Sequence, residues 1–195
     1  MNVHLKPRPA ITRAAEGFPR RSFTVKEVLR MERAGIIGPD EKFELVEGEI
    51  VPMQAKSHIH ELIKSDLAIR ISRALPDDLW VGFESSMYLS DRTILEPDIV
   101  VYTRGLKLES VKGPDIILAI EVALTTLAFD RGLTAQLYAK DGVQELWVID
   151  AEKRRTFIHK GASAEGWNAV TEHGPRVLLK HAAALPGFTA RLAEI

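Results

Sequence analysis

The sequence contains no cysteine among its 195 residues. A disulfide framework and a cysteine-ligated zinc site are therefore both excluded. No apolar run approaches the roughly 20 residues that a membrane-spanning helix needs, and residues 1–21 lack the apolar segment of a secretory signal. We therefore expect a cytoplasmic protein that has no membrane partner.

An excess of either charge is also lacking. Lys and Arg total 26 and Asp and Glu total 27, for a formal net charge of -1. This balance disfavours a strongly basic, non-specific nucleic-acid binder, although contact with DNA through a local patch stays open. Residues 1–21 form the one clear basic segment. We interpret them as a basic arm, either a flexible tail or a segment that grips phosphate or a partner subunit.

Several catalytic signatures are missing as well. The chain has no HExxH zinc motif, no glycine-rich phosphate loop and no nucleophile elbow. Nothing in it predicts an organic cofactor. Hydrophobic residues make up 46% of the sequence, which suffices for one well-cored domain but hardly for two. We therefore predict a single domain over residues 22–195.

Three helices are predicted from capping residues and apolar periodicity. Thr24 to Glu27 form a capping box that opens a helix ending at about residue 33. Apolar residues at four-residue steps predict a second helix over about 57–75. Asp130 is placed to cap a third helix over 131–140, which the following Asp-Gly pair would stop.

Strands dominate the remaining sequence. Alternating apolar residues around Glu47-Gly48 predict a β-hairpin over 43–53. Apolar or β-branched runs predict further strands at 80–89, 97–102, 116–122, 145–150, 155–158, 167–170 and 176–179. The mixture predicts an α/β or α+β domain with an N-terminal helix and hairpin.

Two of these strands each hold a carboxylate where a buried strand would not favour one. Asp98 stands at the start of one apolar run, and Glu121 is embedded in the next. Buried carboxylates are costly unless a cation neutralises them or they perform acid–base chemistry. We therefore predict that Asp98 and Glu121 hold a divalent metal. The alternative is that both are strand-end carboxylates that bond backbone amides or an arginine.

The residues around these carboxylates resemble a known family. The carrying segments are Glu-Pro-Asp-Ile-Val-Val (96–101), Ile-Leu-Ala-Ile-Glu-Val (117–122), Phe-Asp-Arg-Gly (129–132) and the stretch from Leu137 to Asp150. Phe-Glu-Leu-Val-Glu-Gly-Glu-Ile-Val-Pro-Met (43–53) and His60-Glu61 also match. Together they look like the Uma family of restriction-endonuclease-like proteins, within the PD-(D/E)XK nuclease superfamily. The resemblance runs from about Phe43 to Ile158.

This resemblance implies a restriction-endonuclease-like α/β fold, with a mixed central β-sheet flanked by helices. It implies that Asp98 and Glu121 bind Mg²⁺, with Mn²⁺ as a possible substitute. Glu44 and His60 match family positions and join the candidate catalytic residues. The implied activity is metal-dependent hydrolysis of phosphodiester bonds in DNA by a homodimer.

One expected residue is absent from the pattern. The superfamily usually has a lysine two residues after the Glu, where this chain has Ala123, or on the next helix, where it has Thr134. Three explanations stay open: the protein is an inactive relative, another cation fills the role, or the metal acts alone at a reduced rate. Lys56, Lys64 and Arg131 are the candidate cations.

Two other functions were weighed against a metal-dependent nuclease. A pair of carboxylates alone would also suit a glycosidase, but nothing else in the chain supports that activity. The stronger alternative is a catalytically inactive, nuclease-like module that binds nucleic acid or another protein. The two carboxylates favour the nuclease, whereas the missing lysine favours the binding module.

Overall fold

The computed structural model describes residues 21–53, 55–181 and 183–195. Except for Arg21, the predicted basic arm lies outside these residues. The strands found within them are, in chain order, β1 (Phe43–Val46), β2 (Glu49–Pro52), β3 (Leu79–Phe83), β4 (Met87–Ser90), β5 (Thr93–Leu95), β6 (Ile99–Thr103), β7 (Ile116–Ala123), β8 (Glu145–Asp150), β9 (Arg155–Ser163) and β10 (Gly166–His173). They form a four-stranded sheet in the order β2-β1-β5-β4 and a six-stranded sheet in the order β10-β9-β8-β7-β6-β3.

The first two helices follow the prediction closely. Helix α1 (Val25–Arg33) begins with the expected capping box, in which the Glu27 amide donates to Thr24 Oγ1 and the Thr24 amide donates to Glu27 Oε2. Helix α2 (His58–Ala74) begins after Ser57, whose hydroxyl accepts a hydrogen bond from the His60 amide. None of the helices in the described ranges is long and apolar enough to cross a membrane.

The predicted hairpin is also confirmed. Strands β1 and β2 pair antiparallel, and Glu47 and Gly48 both take positive φ angles, of 49° and 90°. A two-residue turn with two positive φ angles matches the twist of a hairpin, and glycine tolerates it at little cost. Close packing also requires glycine at position 48, because a Cβ on Gly48 would lie 2.8 Å from the carbonyl oxygen of Phe23. The turn thus sets the register that carries Glu44 toward the larger sheet.

The centre of the six-stranded sheet is buried on both faces. Strand β7 pairs antiparallel with β6 and parallel with β8. Leu118 and Ile120 contribute to the core cluster that holds the buried face of α2, whereas Ala119 and Ala123 face the opposite cluster. The continuous apolar run predicted for this strand is therefore explained by helices on both sides.

The prediction of the third helix is wrong, because the helical segment begins before residue 131 and is irregular. A short α3 (Leu127–Phe129) leads into a π-helical turn (Asp130–Thr134), and α4 (Ala135–Lys140) completes the helix. Asp130 is therefore inside the helical segment and is not its N-cap. Its carboxylate accepts a hydrogen bond from Thr126 Oγ1 at 2.5 Å, so a Thr four residues upstream uses the oxygen that would otherwise cap. The helix does end at Asp141-Gly142, where Gly142 has a φ of 83°.

Two predicted strands are also wrong. The stretch 80–89 forms two strands, β3 and β4, which belong to different sheets. Glu84 separates them, because its φ of 46° lies outside the extended region that a strand requires. The stretch 176–179 contributes only an isolated bridge between Leu179 and Ala190. It follows a turn in which the Val177 amide donates to the carbonyl of Gly174, so its first residues are not extended.

Candidate active site

The antiparallel register of β6 and β7 brings the two predicted metal ligands together. Ile99 pairs with Ile120, so Asp98, one residue earlier, lies opposite Glu121. Both side chains are almost fully buried within the protein, yet both line one cavity of about 300 Å³. The structure therefore brings Asp98 and Glu121 together on one cavity, and metal binding by the pair stays a prediction.

Three further carboxylates line the same cavity. Glu44 reaches it from β1, and its Oε1 accepts a hydrogen bond from the Glu96 amide at 2.9 Å. Asp130 reaches it from the π-helical turn. Single π-type turns are rare and often occur at functional sites. Glu96, two residues before Asp98, lines it as well. Five acidic side chains, from four separate segments, therefore surround one cavity.

Crowding these acids in a buried space changes their protonation. Burial, reinforced by the charges of Asp98 and Asp130, raises the pKa of Glu121 well above its usual value. Burial also raises the pKa of Glu44, to about 7. The hydrogen bond from the Glu96 amide lowers this pKa, whereas the charge of Asp130 raises it further. Burial raises the pKa of Asp130 to about 6, although the hydrogen bond from Thr126 opposes it.

Asp98 differs from the other acids of the cavity. Burial alone would raise its pKa, but the hydrogen bond and charge of His60 and the charge of Lys56 hold the pKa below its usual value. Lys56 Nζ lies 2.7 Å from Oδ1, and His60 Nε2 lies 3.0 Å from Oδ2. The Val122 amide also donates to Oδ2 at 2.8 Å. The hydrogen bond to a backbone amide, which the alternative interpretation of Asp98 expects, is therefore present. Asp98 also contacts the Lys56 ammonium group and a ring nitrogen of His60.

The structure places His60 beside Asp98 in the cavity, and its catalytic role stays a prediction. Its ring is buried in the first turn of α2, with Nδ1 3.2 Å from Glu61 Oε1 and Nε2 on Asp98. A carboxylate on each side fixes the plane of the imidazole. Tyr138 plays a similar part for Glu121, since its hydroxyl donates to Oε1 at 2.7 Å from within the core.

The three candidate cations occupy different surroundings. Lys56 lines the cavity and contacts Asp98. Lys64 contacts Glu84 and Glu61. The Arg131 guanidinium lies over the Phe157 ring, 3.6 Å from its centroid. This is a cation–π contact, and Arg131 does not line the cavity. Of these candidates, Lys56 is the one placed on a predicted metal ligand.

Sequence reasoning undervalued two residues of this cavity. Asp130 is the acid of the Phe-Asp-Arg-Gly motif, but the sequence predicts it as a helix cap and not as a residue of the site. Lys56 was one of three candidates, and its only local signal is that it precedes Ser57, the N-cap of α2. Its distance from Asp98 along the chain hid the contact.

The donor set suits a hard divalent cation. Mg²⁺ takes oxygen ligands and often only one or two carboxylates, with waters completing the shell. Among the described residues, no three His, Asp or Glu side chains are already grouped closely enough to hold a metal by themselves. Asp98 and Glu121 are two carboxylates on one cavity, so they fit a cation of this class. Lys56 Nζ would then share or give up Oδ1 of Asp98.

The mixed sheet, its flanking helices and the acidic cavity define a restriction-endonuclease-like fold. The model of the Uma2 family, described as "Putative restriction endonuclease", matches residues 25–193, and the chain belongs to this family. A crystal structure of "a putative nuclease belonging to DUF820" from Anabaena variabilis ATCC 29413 is similar in fold. It shares 16% sequence identity at a TM-score of 0.67, covering 88% of this chain and 96% of that one. Among proteins with curated descriptions, none matches significantly.

Proposed function

We propose that this protein is a divalent-cation-dependent endonuclease that hydrolyses phosphodiester bonds in DNA. Asp98 and Glu121 would hold Mg²⁺ or Mn²⁺. The observation that carries the proposal is the cavity lined by five carboxylates from four segments. Membership of the restriction-endonuclease family supports nuclease activity as the use of that cavity.

The chain's own residues have separable parts in such a reaction. In hydrolysis a water oxygen bonds to phosphorus, one P–O ester bond breaks, the water loses a proton and the leaving oxygen gains one. Glu44, with its pKa of about 7, is suited to accept the proton of the water, because a general base works best when its pKa is near the working pH. When bound, a divalent cation would supply positive charge to the phosphate and lower the pKa of a water.

His60 and Tyr138 orient the two ligands in this scheme. His60 and the Val122 amide both hold Oδ2 of Asp98, which fixes the carboxylate plane. Tyr138 holds Oε1 of Glu121. Partners that fix a ligating group commonly tune a site as much as the ligands do.

A plasmid cleavage assay tests this function directly. We expect nicking and linearisation of supercoiled DNA in Mg²⁺ or Mn²⁺, and none when EDTA replaces the metal. Boiled protein and a mock purification from cells without the gene control for contaminating nuclease. Cleavage that persists in EDTA would contradict the metal dependence, and the absence of cleavage in both metals would contradict the activity.

Metal binding should also depend on pH, because protonation of Glu44 and Asp130 removes negative charge that attracts a cation to the cavity. At pH 5 Glu44 and Asp130, with pKa values of about 7 and 6, are mostly protonated, whereas at pH 8 both are ionised. We expect saturating Mg²⁺ to raise the melting temperature by about 5–10 °C at pH 8 and by less than half of that at pH 5. Scanning fluorimetry against EDTA, at matched ionic strength, measures this. Equal shifts at the two pH values would contradict the linkage.

The second candidate function is a catalytically inactive module that binds nucleic acid. The observation that favours it is the absence of lysine at positions 123 and 134. Binding of DNA oligonucleotides in Mg²⁺ without any cleavage would support it. The homodimer and the cytoplasmic location stay predictions under both functions.

A further inference from the structure

A closed ring of charged side chains connects Asp98 with α2. Lys56 bridges Asp98 and Glu84, with Nζ 2.7 Å from Asp98 Oδ1 and 2.8 Å from Glu84 Oε1. Lys64 bridges Glu84 and Glu61. His60 closes the ring between Glu61 and Asp98. Acidic side chains thus alternate with lysine or histidine side chains around the whole ring.

Lys56 is held in this ring and is not simply a surface lysine that meets an acid. Its side chain is only 20% exposed, and that of Lys64 only 13%. Withdrawing an ammonium group from water is costly unless close anions compensate for it, and Lys56 has two. The loop that carries it is fixed on one side by strand β2 and on the other by the Ser57 cap of α2.

Glu84 pays a conformational cost to hold the lysines. It stands directly after β3 with a φ of 46°, a region that residues other than glycine, asparagine and aspartate seldom occupy. Such backbone strain persists where surrounding contacts determine it, and it is concentrated at functional sites. Here the surrounding contacts are Lys56, Lys64 and the exposed Lys42.

The two usual lysine positions cannot supply a cation to the cavity. Ala123 is 1% exposed and belongs to the core cluster beneath α4. Thr134 lines the cavity, and its buried hydroxyl has no hydrogen-bond partner among the described residues. The cavity therefore has the acids of a nuclease site and receives its ammonium group from a different segment.

We propose that Lys56 takes the place of the missing lysine and is the cationic residue that contacts the phosphate, held over the cavity by Glu84, which Lys64 contacts in turn. This inference rests on the proposed nuclease function. Lys56 reaches the same carboxylate that a motif lysine would accompany, but from the loop before α2. A cation held by Asp98 would free the Lys56 ammonium group from Oδ1, and Glu84 would still keep that group beside the cavity.

The same contacts allow a different role, which the experiment must separate from this one. Lys56 could be a latch that occupies Asp98 and keeps the site closed to metal. A phosphate-contacting lysine is needed for turnover, so its removal lowers activity. A latch opposes metal binding, so its removal raises activity.

The test compares Lys56→Met with a matched control, Lys42→Met. Lys42 also contacts Glu84, at 3.4 Å, but its side chain is 64% exposed and does not contact Asp98. We expect Lys56→Met to lower the cleavage rate by about 100-fold or more, and Lys42→Met to change it by less than about 2-fold. Adding Thr134→Lys to Lys56→Met should raise the cleavage rate at least about 10-fold above that of Lys56→Met alone, because it returns an ammonium group to the cavity.

A second readout does not depend on turnover. Binding of a short DNA duplex in Ca²⁺, followed by fluorescence anisotropy, should weaken at least about 5-fold in Lys56→Met and be unchanged in Lys42→Met. Melting temperatures in EDTA establish that each variant is folded before the rates are compared, and Lys56→Arg provides a charge-conserving variant if Lys56→Met does not fold.

The outcomes distinguish failure of the inference from failure of the function. Cleavage by wild type with an unchanged or faster Lys56→Met rejects the inference and keeps the nuclease. Binding without cleavage by wild type, weakened in Lys56→Met, rejects hydrolysis and keeps the phosphate contact of Lys56. Neither cleavage nor binding by wild type rejects both.

Discussion

Replacing Asp98 with asparagine should lower DNA cleavage by at least about 100-fold, because the site loses the one acid that is ionised most readily. The carboxamide has nearly the same shape as the carboxylate, and its oxygen can still accept a hydrogen bond from the Val122 amide. The change therefore removes charge more than it removes packing. It also leaves Lys56 and His60 without their shared anion, so the cation loses a ligand and both positioned groups lose their partner.

A matched control is available on the outer part of α2. Asp66 pairs with Arg70 at 2.5 Å and lies outside the cavity, so Asp66→Asn removes an acid–cation pair of the same kind. We expect it to retain cleavage within about 2-fold of wild type. The Mg²⁺-induced rise in melting temperature should disappear in Asp98→Asn and persist in Asp66→Asn. Cleavage that survives in Asp98→Asn would reject the assignment of the site.

The parts of the fold that local chemistry determines could be predicted from the sequence. The capping box of α1 and the Glu47-Gly48 turn depend on residues three or fewer positions apart. The strands around Asp98 and Glu121 are predicted by their own apolar composition. Each of these signals is contained within the element that it specifies, and the structure confirms all of them.

The remainder depends on contacts between distant residues. The strand predicted over 80–89 is apolar enough to continue, but Glu84 turns the chain because Lys56 and Lys64 hold its carboxylate. Asp130 has a typical N-cap sequence, yet Thr126 takes part of its hydrogen bonding and the helix starts upstream. Both errors occur beside the cavity, where local preference and site geometry conflict.

The acids of the cavity could be named from the sequence, but their electrostatic roles could not. Asp98 and Glu121 both stand in buried strands, and nothing in their neighbours indicates that the pKa of one is lowered while that of the other is raised. The difference arises because Lys56 and His60 contact one acid, whereas other acids and a tyrosine surround the second. Such division of roles between neighbouring carboxylates is typical of catalytic sites.

Replacing Glu44 with glutamine should stabilise the metal-free protein at pH 8 while it lowers cleavage. The pKa of Glu44 is raised from 4.5 to about 7, so the folded state holds a proton that the unfolded state has already released. The free energy of unfolding therefore falls as pH rises from about 4.5 to about 7. A shift of this size lowers the free energy of unfolding by about 3 kcal/mol at pH 8. A neutral glutamine at this position avoids that loss of stability.

The glutamine can keep the native contact, since its carbonyl oxygen can accept the Glu96 amide as Glu44 Oε1 does. We expect the melting temperature in EDTA to be about 5–10 °C above wild type at pH 8 and nearly equal to it at pH 4.5. Glu47→Gln, on the exposed turn of the same hairpin, should show no such difference. Cleavage should fall by about 100-fold, because an amide cannot accept the proton of the attacking water.

A Glu44→Gln protein that is equally or less stable at pH 8 would show that Glu44 is not held under electrostatic strain. The expected result has a further consequence, because a carboxylate that destabilises the fold persists only where its charge is used. A cation bound by Asp98 and Glu121 would remove much of the strain, so the gain in stability of Glu44→Gln over wild type should shrink in saturating Mg²⁺. A gain that is the same in EDTA and in Mg²⁺ would separate Glu44 from the metal and confine its role to structure.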